Sequence, residues 1–213
     1  MDAFCLPRLI EFMKQYPADF WNERYAEKEY IYGTQSNVFF KEQLDQLAAG
    51  NLLLPAEGEG RNAVYAASLG WDVVAFDIST SGKEKAMQLS AAQKVALDYQ
   101  VTGVLDFKTD IKFDAIGLCY THFPVEIRKD AFQHFLKFLK PNGTVIFEAF
   151  AKAQSGKPSG GPKNIDILFS IEEIKNEFPE IKFNFLKEET IELSEGNYHK
   201  GKAEVIRFIG IKK

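Results

Sequence analysis

Apolar positions change their period twice along the chain. In the middle they come in short runs with little alternation, separated by helical stretches. Leu52–Leu54 are three consecutive apolar residues, the pattern of a strand buried on both faces. PAEGEGRN (55–62) reads as a glycine-containing turn, and AVYAASLG (63–70) as a short helix closed by Gly70. WDVVAFD (71–77) is a second buried-type strand ending in an acid, and KEKAMQLSAAQKVALDY (83–99) an amphipathic helix. YQVTGVLDF (99–107) is a third strand with its exit, and FDAIGLCYTHF (113–123) a fourth. RKDAFQHFLKFLKPNG (128–143) reads as a helix stopped by Pro141 and Gly143, and TVIFEAF (144–150) as a fifth strand.

The flanks have other textures. Residues 1–51 are helical with aromatic interruptions: a first helix from Leu6 or Pro7 to Tyr16, then a partly irregular stretch over 20–37. Asn37 next caps VFFKEQLDQLAAG, where Val38, Phe39, Leu44 and Leu47 recur at helical spacing and Gly50 is the stop. AKAQSGKPSGGPKN (151–164) is a loop, and FSIEEIKNEF (169–178) a helix with Ser170 in capping-box register to Glu173. IKFNFLKEETIEL (181–193) and KAEVIRFIGIKK (202–213) alternate with period two around SEGNYHKG, which predicts an antiparallel hairpin. The whole predicts one α/β domain over 1–213. Its core, 52–150, is a doubly wound, mostly parallel, Rossmann-like sheet with helices on both faces. Residues 1–51 precede that core as an aromatic lid segment, and 151–213 add loop, helix and hairpin.

Composition narrows the partners. Of 213 residues, 46% are hydrophobic and 26% charged, enough to build a core and unlike a disordered chain. A net charge of −4 without a basic block argues against gripping a nucleic-acid backbone. No apolar run approaches the ~18 residues that cross a bilayer. Cys5 and Cys119 make no CxxC pair, and His122, His134 and His199 are scattered, so no metal is expected. These features predict a cytoplasmic protein, a monomer or homodimer, acting on a small molecule.

The chemistry concentrates between Leu52 and Asp77. Gly58 and Gly60 let a ligand approach the backbone where a helix presents free N–H groups. Asp77, 17 residues after Gly60, stands where a ribose-binding acid belongs. Glu57 and Glu59 in the turn would repel a pyrophosphate and suit a ligand carrying an ammonium or sulfonium, such as S-adenosyl-L-methionine.

FWNERYAEKEYIYGT (20–34), AEGEGRNAVYAA (56–67), VVAFDIS (73–79), FDAIGLCYTHFPVEIR (113–128), FLKPNGTVIFEAF (138–150) and LFSIEEIKNEF (168–178) together resemble class I S-adenosylmethionine-dependent methyltransferases. Within that class they are most similar to the tellurite-resistance (TehB-like) branch, which is akin to thiopurine methyltransferases. The resemblance implies a small-molecule acceptor and S-adenosyl-L-homocysteine as product. It also places Trp21, Arg24 and Tyr32 against the donor, with Glu57, Gly58, Glu59, Gly60, Arg61 and Asn62 around the turn. Asp77, Ile78 and Ser79 would lie at the second strand's end, Val104 and Leu105 at the third strand's exit, and Cys119 and Tyr120 at the fourth strand's end. The family's usual acid is Leu54 here and its first glycine is Ala56, so Glu57 is a candidate substitute for that acid.

Several of these residues have plainer readings: Arg24 solvated, Asn62 a helix cap, Cys119 a small apolar filler. His122 leaves the fourth strand where open sheets bind ligands, and is the candidate proton acceptor. His134 and His199 attract no role. The expected reaction is methyl transfer to a soft nucleophile such as a thiol or a selenium or tellurium oxyanion. A non-catalytic adenosine-binding module and a nicotinamide-dependent oxidoreductase are the alternatives.

Overall fold

The structure is a computed structural model describing residues 18–213. The helix expected over Leu6 or Pro7 to Tyr16 lies outside the described residues, as does Cys5. Helix α1 spans Ala18–Tyr25 and α2 Val38–Leu44; then follow β1 Asn51–Pro55, α3 Arg61–Ser68, β2 Asp72–Asp77, α4 Thr80–Gln93 and β3 Asp98–Val101. The chain continues with β4 Phe113–Cys119, α5 Val125–Leu136, β5 Leu139–Phe150, α6 Ile171–Glu177, β6 Ile181–Glu195 and β7 His199–Lys212. The seven strands lie in the order β3-β2-β1-β4-β5-β7-β6. β1 to β5 run parallel, and β7 is antiparallel to both β5 and β6.

The expected fold class is the observed one. Alternate residues of each inner strand feed opposite faces, as the pleat requires. Leu53, Val74 and Phe76 pack with Phe132 and Phe135 of α5 and Ile174 of α6. Leu52, Leu54, Val73 and Ala75 pack on the other face with Phe40 of α2, Ala63 and Ala66 of α3, and Ala86 of α4. A third cluster, Phe150, Leu168, Leu193, Ala203 and Val205, closes the sheet at the hairpin end.

Several boundaries differ from expectation. α1 is helical where an irregular stretch was expected, and β3 stops at Val101, leaving 102–107 as turn. α4 begins at Thr80 because Ser79 caps it, its hydroxyl accepting from Gly82 N. Pro141–Gly143 do not end a helix. They lie inside β5 where its register against β4 shifts, pairing Phe113 with Leu139 but Ala115 with Thr144. The hairpin is longer than expected, with Glu195 opposite His199 across a three-residue turn.

Asn37 caps α2 as expected, and the Ser170–Glu173 capping box is present. Ser170→Ala is expected to cost about 1 kcal/mol, read as a lowered thermal midpoint. No described helix is long and apolar enough to cross a membrane.

Candidate functional site

β1 neighbours β2 on one side and β4 on the other, so successive connections diverge at its C-terminal end, where open α/β sheets bind ligands. The turn leaving β1 is built from left-handed residues: Ala56 at φ 51°, Gly58 at 63° and Gly60 at 85°. Ala56 thus keeps a glycine-like backbone without being glycine, a strained choice for an L-residue. Gly60 is the N-cap of α3, and a Cβ there would come within 2.5 Å of Ala86 Cβ, so it lets α3 and α4 meet. Asn62, read from sequence as a possible cap, sits instead in the first turn of α3.

Two carboxylates hold this turn. Glu57 accepts from the backbone N–H groups of Asn62 (2.7 Å) and Ala63 (2.8 Å) and from Asn62 Nδ2 (3.3 Å). Asp77 accepts from Gly58 N (3.0 Å) through one oxygen and Ser79 N (2.9 Å) through the other. Burial pushes Glu57 up to about 7 and Asp77 up to about 6 despite these donors. Among the described residues neither forms an ion pair, so the floor of the site is one buried acid, Asp77, and one half-buried acid, Glu57, without a paired cation.

Glu59 departs from expectation. It faces the N-terminal segment and not a ligand, pairing with Lys85 Nζ (2.8 Å) and accepting from Ile31 N (2.8 Å). That segment covers the turn. Asn22 Oδ1 accepts from Ser79 Oγ (2.8 Å) and Ser81 N (3.2 Å), and Asn37 N donates to Asn62 Oδ1 (2.9 Å). Tyr25 lies over Gly58, where an added Cβ would be 2.6 Å from its hydroxyl, and Tyr99 Oη donates to Gly58 O (2.5 Å). Tyr25 thus covers the glycine turn whose Gly58 N donates to Asp77. Trp21 stacks on Tyr25 at 5.3 Å, and the Arg24 guanidinium lies 4.8 Å from the Tyr198 ring centre and near Tyr32. Tyr25 and Tyr99 are site residues that sequence reasoning missed.

Arg61 is spent on structure, its Nη2 pairing with Glu195 (3.0 Å) and its Nη1 donating to Tyr32 O (3.2 Å). Ile78 is half-buried between Asp77 and Ser79, while Val104 and Leu105 pack against the core in the β3 exit. Burial raises the Cys119 thiol well above its usual range, so it stays protonated at the end of β4. Tyr120 follows at φ 55°, a backbone strain found mostly where a site demands it.

His122 is not available as a proton acceptor. Its Nδ1 lies 3.1 Å from Ile167 O and its Nε2 accepts from Phe150 N at 3.2 Å, so both ring nitrogens are engaged. Burial pulls it down to about 3, and it remains neutral. The histidine that sequence reasoning set aside, His199, stands instead beside the site. Its Nδ1 is 3.1 Å from Glu195 Oε2, and its ring centre is 4.6 Å from that of Tyr32 and 4.5 Å from that of Tyr120. The signal was the Glu–x–x–x–His spacing around a tight turn, which sets the two residues opposite one another.

The donor set fits a cationic adenosine compound. Acids without a paired cation favour a sulfonium and an ammonium, and Asp77 keeps unused lone pairs for hydroxyls. The α3 amides that would bind a pyrophosphate are occupied by Glu57, which disfavours a dinucleotide. Among the described residues no group of three or more His, Cys, Asp or Glu is placed to hold a metal.

Residues 55–143 match the model of a methyltransferase domain family. TehB from Haemophilus influenzae superposes with TM-score 0.70 at 15% identity, covering 92% of this chain and 67% of that one. NodS from Bradyrhizobium japonicum WM9, an N-methyltransferase in complex with S-adenosyl-L-homocysteine, gives 0.62 at 15% identity, covering 91% and 97%. A protein of echinomycin biosynthesis, where a disulfide bond becomes a thioacetal group, gives 0.73 at 13% identity, covering 93% of both chains. No curated protein matches the sequence. Residues 55–143 thus match a methyltransferase domain, and the chain shares its fold with these solved structures.

Proposed function

We propose that the protein transfers the methyl group of S-adenosyl-L-methionine to a small-molecule acceptor with a soft nucleophilic atom. The observation that carries this reading is the pair of carboxylates without a paired cation, half-buried Glu57 and buried Asp77, that hold the turn around Gly58. In this reading Asp77 accepts from the ribose hydroxyls and Glu57 faces the aminoacid end, substituting for the acid absent at Leu54. Arg24, with Trp21 and Tyr32, covers that end and pairs with its carboxylate. Ile78, Ser79, Val104 and Leu105 bound the adenine side, and Cys119 and Tyr120 the methyl side.

The donor, when bound, supplies an electrophilic methyl carbon. The protein's own contribution is to hold acceptor and donor in line and exclude water. The TehB-like branch is favoured by the order of the sequence blocks and by the similarity to the Haemophilus influenzae protein. A turn covered by the N-terminal segment suits a small molecule, and the acidic balance disfavours a nucleic-acid backbone.

Calorimetry with S-adenosyl-L-methionine tests the donor. Transfer of tritiated methyl to thiols, selenite and tellurite tests the acceptor. The expected result is micromolar donor binding with labelled product from at least one of these. Binding without transfer to any of them would leave an adenosine-binding module, and no binding would end the proposal.

A further inference from the structure

The C-terminal ends of β4 and β5 face the tip of the β6–β7 hairpin, and a buried polar cluster lies between them. Glu195, the last residue of β6, uses Oε2 for both Arg61 Nη2 (3.0 Å) and His199 Nδ1 (3.1 Å), while Oε1 accepts from Asn37 Nδ2 (3.1 Å). The carboxylate is thus fixed from three sides. Arg61 and His199 hold it down to about 2, so it stays ionised. An ionised carboxylate at Nδ1 keeps the proton on that nitrogen and leaves Nε2 as the acceptor. Among the described residues Nε2 has no hydrogen-bond partner, unlike either nitrogen of His122.

The surroundings point to an acceptor and not to a structural histidine alone. Tyr32, Tyr120 and Phe150 wall the ring at centroid distances of 4.6, 4.5 and 5.2 Å. Tyr120 Oη is buried without a hydrogen bond of good geometry, beside the Glu148 carboxylate, and its backbone holds a left-handed φ. The cations nearby are committed: Arg61 to Glu195 and Arg207 to Glu148 and Glu189, while Arg24, stacked on Tyr198, is the partner of the donor's carboxylate in the methyl-transfer reading. A dianionic acceptor would find carboxylates here and no unpaired cation. A neutral acceptor with an aromatic or apolar body would find a matching wall.

We infer that His199 is a catalytic residue of this methyltransferase, the general base for a neutral, proton-bearing acceptor of the thiol class, with Glu195 its positioning residue. The inference rests on the methyl-transfer reading and narrows it from soft nucleophiles at large to those that must lose a proton. As sulfur attacks the methyl carbon, the S–H proton passes to His199 Nε2 and a new S–CH3 bond forms. The methyl–sulfonium bond breaks and its electron pair stays on the departing thioether. Glu195 stabilises the imidazolium until the proton leaves to solvent. Glu195, Arg61, Glu148, His122, Tyr32 and Tyr120 are the titratable and charged groups acting on the ring from the elements packed around it.

The test combines a spectroscopic and a kinetic measurement on the full chain. In nitrogen-15-labelled protein, the His199 imidazole is expected to carry its proton on Nδ1 with Nε2 bare at neutral pH. Glu195→Gln is expected to raise the Nε2-protonated fraction while leaving His122 unchanged. With 2-mercaptoethanol as acceptor, His199→Gln is expected to lower kcat about 100- to 10,000-fold. With 4-nitrothiophenol, already ionised at neutral pH, the loss should be at least about tenfold smaller. The Kd for S-adenosyl-L-methionine should stay within about twofold of wild type in both variants. A protonated Nε2 in the wild-type protein, or equal losses with both acceptors, would overturn the role of His199. Absence of donor binding in the wild type would instead overturn the methyl-transfer reading, and the nitrogen-15 spectrum would still decide whether the Glu195–His199 pair exists as described.

Discussion

Asp77→Ala is expected to weaken S-adenosyl-L-methionine binding by about 2–4 kcal/mol, roughly a 30- to 900-fold rise in Kd. The magnitude follows from removing a buried, charged acceptor that two ribose hydroxyls would otherwise share. Part of the loss arises indirectly, because the same carboxylate fastens Gly58 N and Ser79 N and so shapes the turn. Asp77→Asn separates the contributions. Its amide keeps the shape and one acceptor oxygen but sets an N–H₂ group against a backbone N–H. Thermal unfolding of both ligand-free variants measures the turn's share, and calorimetry the total. A Kd unchanged in Asp77→Ala would remove the ribose assignment.

Glu57→Gln is expected to affect stability and donor affinity in opposite directions at pH 8. Burial raises Glu57 from 4.5 to about 7 in the folded protein, and Asp77 from 3.8 to about 6. Between those limits the folded state holds protons that the unfolded state has released. Their contribution to stability is fully present below the unfolded values and is lost as pH rises through 6 and 7. His122, lowered from 6.5 to about 3, works the other way and gains stability as pH rises toward 6.5. His122 is common to wild type and variant and cancels in their difference, so the Glu57 window, from about pH 4.5 to about pH 7, is read as wild type minus variant.

Across that window Glu57→Gln should raise the thermal midpoint of the ligand-free protein at pH 8 relative to its effect at pH 5. A cationic donor reverses the preference, because it favours the ionised acids. Wild-type donor affinity should rise between pH 5.5 and 8, with protons released on binding, and Glu57→Gln should flatten that rise. A wild-type Kd independent of pH would show that no cation meets these carboxylates.

Much of the architecture was legible because local signals agreed. Buried apolar runs, the Asn37 and Ser170 caps and the period-two tail each specified one element. Misreadings came where a local signal had a tertiary use. Pro141 and Gly143 look like a helix stop, yet they occupy a shift of register inside β5. Glu57 and Glu59 look equivalent in sequence, but one caps α3 and the other pairs with Lys85 behind the turn. Proximity of a histidine to a strand end favoured His122, whose ring is consumed by Ile167 and Phe150. His199 was hidden because its value depends on a hairpin register that sequence spacing alone leaves open.

The hydrogen bonds that tie Asn22, Ile31 and Asn37 to Ser79, Glu59 and Asn62 have a kinetic consequence. In the methyl-transfer reading, a spent nucleoside would leave, and a fresh one enter, as those bonds and the Tyr25 ring open. Turnover then has an upper limit set by the unzipping of a short stretch of chain, independent of how reactive the acceptor is. Faster chemistry at the methyl carbon would leave that limit untouched.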